Sequence, residues 1–123
     1  MLGEIKIKNI LFLSIETVPL KERFENLDPY LKGLWKEKVS QQKKDEFTAE
    51  GYYKKKAGVM AEFAKIICIS VGYLFTDNNE ALFRIKSFFG ENEKTILSSF
   101  NALLESSFNS DYHQLCAHNG KEF

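Results

Sequence analysis

At 123 residues, with 44% hydrophobic and 28% charged residues, the chain has ordinary globular composition and enough length for one domain with a real core. Its 17 basic and 17 acidic residues cancel, which excludes the strong global field of a basic nucleic-acid binder or a membrane-surface protein. No apolar run approaches the roughly 20 residues of a membrane span, and Met1-Leu2-Gly3-Glu4 opens no signal segment, so a cytoplasmic protein without a membrane partner is expected.

In chain order, Glu4, Lys6 and Lys8 alternate with Ile5 and Ile7, an amphipathic lead-in to a first strand. Ile10-Leu11-Phe12-Leu13-Ser14-Ile15 then runs apolar to Glu16, and Pro19 stops it. Such a run predicts a buried central strand, with Phe12, Ser14 and Glu16 on one face and Leu11, Leu13 and Ile15 on the other. Glu16 at the carboxyl end of that strand has two readings. It is either the point where the strand reaches water or a functional carboxylate at the edge where open sheets gather ligands.

Residues 20–63 read as a helical excursion. Asp28-Pro29 starts one helix, with Tyr30, Leu31, Leu34 and Trp35 on one face. Thr48 caps a second, with Tyr52, Tyr53 and Lys56 following and Gly58 as its stop. Seven lysines fall within residues 36–56, among them Lys43, Lys44, Lys54, Lys55 and Lys56, against four acidic residues. Lysines interleaved with Trp35, Tyr52 and Tyr53 suit backbone contact and base stacking on a nucleic acid; solvated helix faces are the plain alternative.

The β-branched run Ile66–Phe75 and the alternating run Leu82–Phe89, joined by Thr76-Asp77-Asn78-Asn79-Glu80, predict an antiparallel hairpin with Phe83 and Ile85 inward and Arg84 and Lys86 outward. Gly90-Glu91-Asn92-Glu93 opens a helix whose stripe is Ile96, Leu97, Phe100, Leu103, Leu104 and Phe108, ended by Asn109-Ser110-Asp111. Leu115-Cys116-Ala117 follows as a short strand, parallel to its partner because a helix precedes it. Cys68 and Cys116 both lie in apolar runs and read as small buried hydrophobes. His118 has no second ligand at metal spacing, and no acid orients it toward Cys116, so a structural role is expected.

Three segments in order, Ile10–Pro19, Ala61–Tyr73 and Cys116–Phe123, together resemble the predicted 3′–5′ exonucleases related to the proofreading domain of family B DNA polymerases, members of the DnaQ-like superfamily on a ribonuclease H-like fold. The resemblance implies an α/β domain with three antiparallel strands, a fourth parallel to the first, and the helical excursion as an insertion after strand 1. It implies phosphodiester hydrolysis at the 3′ end of single-stranded DNA, with four carboxylates holding two Mg²⁺ or Mn²⁺ ions. In the family the first two carboxylates form an Asp-x-Glu motif, alternate strand positions about 6.5–7 Å apart. Glu16 matches the Glu and is the expected metal ligand, Thr17 beside it is an expected substrate contact, and Ser14 stands in the place of the Asp. Asn119 and Phe123 match the opening of the second motif, Asn-x-x-x-Phe-Asp, which positions the 3′ end. Its Asp would follow Phe123, and the third motif would lie further on. The resemblance therefore implies the N-terminal portion of one exonuclease domain without competent chemistry; the lysine clustering, apart from the resemblance, offers Lys54, Lys55 and Lys56 as substrate contacts. The alternatives are a single-strand-binding module that has lost hydrolysis, or a homodimer formed through surfaces that truncation exposes.

Overall fold

The computed structural model describes residues 6–42 and 48–118. The elements run β1 (Ile10–Pro19), α1 (Pro29–Gln42), α2 (Ala49–Lys56), β2 (Ala64–Asp77), β3 (Glu80–Phe89), α3 (Glu93–Ser107) and β4 (Gln114–Ala117). They divide between two compact units, one of Met1–Glu16 with Ile66–Phe123 and one of Thr17–Lys65.

The first unit is an α/β arrangement on a four-stranded mixed sheet of order β3-β2-β1-β4. Three strands are antiparallel and β4 runs parallel to β1, as the chain order predicts. The β2–β3 turn is tighter than the five-residue polar stretch suggests. Asn78 and Asn79 take φ of 48° and 65°, the left-handed conformation that both central residues of a type I′ hairpin need and that asparagine tolerates. Asn92 caps α3, its side-chain oxygen accepting from the Thr95 N–H at 3.3 Å. Ile96, Phe100, Leu103 and Leu104 then pack with Leu11, Ile69 and Val71 on one face of the sheet. Leu97, expected in that stripe, is 41% exposed; one residue is a 100° turn, which carries it off the contact line.

Three other expectations change here. Ile7–Asn9 form a 3-10 turn, not a strand lead-in, closed by the Asn9 N–H on the Lys6 carbonyl at 2.8 Å; Glu4 and Ile5 lie outside the described residues. β4 first meets β1 at Ile10, so the residues before it gain no ladder on that side. Cys116 is exposed on the edge strand and Cys68 only half-buried, both as free thiols. The third change concerns β3. Its register pairs Lys86 with Val71 and Arg84 with Tyr73, which puts both cations on the α3 side, Arg84 4.4 Å from the Phe75 ring centre and Lys86 5.1 Å from that of Phe88. Phe83 and Ile85 face the other way. Alternation in sequence says which residues share a face; only α3 decides which face is covered.

The second unit has its own core. Asp28 accepts from the Leu31 N–H at 2.8 Å, and Pro29 opens α1 as expected. The buried side of α1 is Trp35 and Val39 with Leu31 against them, a strict i, i+4, i+8 row, whereas Tyr30 and Leu34 are 74% and 37% exposed. Thr48 caps α2 through the Gly51 N–H at 3.1 Å. That helix ends at Lys56, two residues before Gly58, and a 3-10 turn over Ala57–Val59 follows. Trp35 is the centre: its ring stands edge-on to Phe63 and Tyr53 at 4.8 and 5.2 Å, and its indole N–H reaches the Ala49 carbonyl at 2.9 Å.

Candidate functional site on the open sheet face

The face of the sheet opposite α3 carries Phe12, Ser14 and Glu16 of β1 and Cys68, Ser70, Gly72 and Leu74 of β2. Phe12 lies beside Cys116 across β1 and β4. Gly72 pairs with Ile85, Ser70 with Ser87 and Leu74 with Phe83 across the hairpin. Glycine at position 72 has a specific cause. A Cβ there would meet the Phe83 ring at 2.6 Å, so the absent side chain is the seat of that ring. Phe83 lies over Gly72 and reaches Phe12 at a centroid distance of 6.1 Å. A lone glycine in a strand signals such a close approach, and that was the one sequence cue to this arrangement.

Ser14, Ser70, Gly72, Phe83, Cys116 and His118 line a shallow depression of about 350 Å³ on this face. Ser14 and His118 meet there because β1 and β4 are parallel. With Leu13 opposite Ala117, the next residues along each strand are Ser14 and His118. Both are exposed. The Ser70 and Ser87 hydroxyls pair at 2.8 Å across the hairpin, which satisfies two polar groups within an apolar surround. The depression offers hydroxyls, one imidazole and one thiol among aromatic and aliphatic walls.

Glu16 follows Ser14 on the same side of β1 and is exposed. Thr17 belongs to the second unit, where its hydroxyl donates to the Gly58 carbonyl at 2.5 Å. Lys54, Lys55 and Lys56 form the exposed last turn of α2, also in that unit. The rings expected to stack beside them are committed elsewhere. Trp35 and Tyr53 are 0% and 1% exposed, the Tyr53 hydroxyl is bonded to the Lys21 carbonyl at 2.7 Å, and Tyr52 packs on Trp35 at 5.8 Å. Their burial removes base stacking by Trp35 and Tyr53. Asn119 and Phe123 lie outside the described residues, as do Lys43 and Lys44.

Among the described residues, the end of β1 by itself does not offer the donors that a pair of divalent ions wants. Ser14 supplies a neutral hydroxyl and Glu16 one carboxylate, where hard cations of this kind want several charged oxygens. Among the described residues no three Asp, Glu, His or Cys side chains gather at ligand distance. None of the described helices is long and apolar enough to cross a membrane. No protein-family model, curated protein or solved structure matches the chain.

Proposed function

We propose that β1 of this chain carries the first motif of a ribonuclease H-like 3′–5′ exonuclease domain with Ser14 in place of its leading carboxylate, so that this motif does not support metal-dependent hydrolysis. The observation that supports the reading is the end of β1. Ser14 and Glu16 take alternate positions on one face of a central strand, and the strand reached through α3 runs parallel beside it. That is where the resemblance puts an Asp-x-Glu pair. Glu16 alone can polarise or orient a water, but one carboxylate cannot hold an attacking and a leaving oxygen between two cations.

Residual affinity for single-stranded DNA then falls to Lys54, Lys55 and Lys56. With Trp35 and Tyr53 buried, it is a phosphate contact without stacking by those rings, and so depends steeply on salt. The test uses a 3′-labelled oligonucleotide with Mg²⁺ or Mn²⁺. The expected result is no 3′ shortening, together with weak binding that falls on the order of 20-fold between 50 and 200 mM salt, as about three phosphate contacts on a single strand would give. Metal-dependent shortening that is lost in Glu16→Gln would overturn the loss of chemistry; salt-insensitive binding would overturn the phosphate-only contact.

A further inference from the structure

We propose that the open sheet face is the contact surface of a symmetric dimer, its occupant a second copy of this chain. The primary evidence is an inversion of polarity on β3. A sheet with one covered and one solvated face normally turns its apolar residues to the cover and its charges to water. Here Arg84 and Lys86 sit on the α3 side, while Phe83, Ile85 and Phe89 on the opposite side are 51%, 73% and 77% exposed. Continuing across Gly72 and Phe12 to Cys116, the open-face positions from Phe12 to Glu16, Cys68 to Leu74, Phe83 to Phe89 and Gln114 to Cys116 include no Lys or Arg and a single carboxylate, Glu16. A contiguous apolar face of this kind marks an interaction site.

Size and charge select a second copy. Four strands about 4.8 Å apart, averaging about eight residues within this unit although β4 has only Gln114–Ala117, project roughly 500 Å². Phe83 and Phe89 alone leave roughly 250 Å² open, at about 200 Å² per aromatic side chain. A face of that extent lies below the ~800 Å² per partner of a standard interface and suits a small, reversible one. A charged partner would find nothing to pair with across most of it, whereas an uncharged face is complementary to itself under two-fold symmetry. Two sheets stacked about 10 Å apart with strands opposed would interdigitate the Phe83 and Ile85 side chains. That stacking holds the two Glu16 carboxylates at opposite ends, where they do not repel. The inference does not rest on the nuclease reading but bears on it, because both concern the same sheet face. If it holds, the depression that carries Ser14 and His118 lies inside the interface, closed to a nucleic-acid strand.

Sedimentation equilibrium of the full chain from 1 to 100 µM tests this. The expected result is a monomer–dimer equilibrium. Ile85→Lys and Phe89→Lys alter exposed side chains and should each leave the far-ultraviolet spectrum unchanged while weakening the dimer at least about 100-fold. Leu115→Lys, on the other face of edge strand β4 and 59% exposed, should leave it intact. A monomer at 100 µM, an open-ended aggregate, a dimer that survives both open-face variants, or one abolished by Leu115→Lys would each overturn the proposal.

Discussion

Trp35→Ala is the sharpest perturbation of the Thr17–Lys65 unit. The indole is fully buried, stands edge-on to Tyr53 and Phe63, packs on Tyr52, and donates to the Ala49 carbonyl. Truncating a buried aromatic to alanine costs about 3–5 kcal/mol through lost transfer and the cavity left behind. Edge-on ring pairs add about 0.5–1.5 kcal/mol each and the hydrogen bond about 1 kcal/mol, which places this site at the upper end of that range. Trp35→Phe keeps a ring but forfeits the N–H, and should cost about 1–2 kcal/mol. The two hydrophobic clusters share no residue, so the loss should be local. Urea unfolding followed by circular dichroism gives the free energy. Amide hydrogen exchange gives its distribution: α1 and α2 should lose protection while α3 and the β2–β3 hairpin retain theirs. Equal loss of protection in α3 and the hairpin would show one cooperative core and refute the reasoning.

Gly72→Ala should expel the Phe83 ring and destabilise by about 1–2 kcal/mol, against an upper limit of roughly 2.5 kcal/mol for half an aromatic side chain at 25 cal/mol per Å². In a Phe83→Ala background the same change should become neutral or stabilising, since alanine suits a strand better than glycine, and a double-mutant cycle measured on dilute protein reads the coupling. Asn79→Gly, at a turn position with φ of 65°, should stabilise the hairpin by a few tenths of a kcal/mol, visible as a higher urea midpoint. The Lys38 ammonium, hydrogen-bonded to Glu62 at 2.9 Å, holds that carboxyl below its ordinary value near 4.5. Its stabilisation is therefore complete above the unfolded value and lost as the pH falls through the lowered folded one. Glu62 is 60% exposed, so the contribution stays below about 1 kcal/mol, and Glu62→Gln should remove only that acid-side dependence of the urea midpoint.

Local chemistry made much of this fold legible in the sequence. Asp28-Pro29, Thr48 and Asn92 mark helix starts because their side chains satisfy free N–H groups within a few residues. The apolar run of β1, the hairpin and the stripe of α3 are periodic signals of the same short range. The alternation that pairs Ser14 with Glu16 on one face needs nothing beyond strand geometry.

What the sequence alone left open is which side of each element the rest of the chain covers. Helical spacing puts Tyr30, Leu31, Leu34 and Trp35 on one face, but the aromatic cluster around Trp35 buries Leu31 and Val39 with it and leaves Tyr30 and Leu34 exposed. Phe83 and Ile85 looked inward because they are apolar, yet α3 packs on the face that holds Leu11, Ile69 and Val71, and strand parity then turns Phe83 and Ile85 outward. His118 and Cys116 reach Ser14 and Phe12 only because β4 docks parallel to β1, about a hundred residues away in sequence. Periodicity is set by the backbone of a single segment. The face that is buried is set by partners brought in from a distance, and tertiary structure alone selects them.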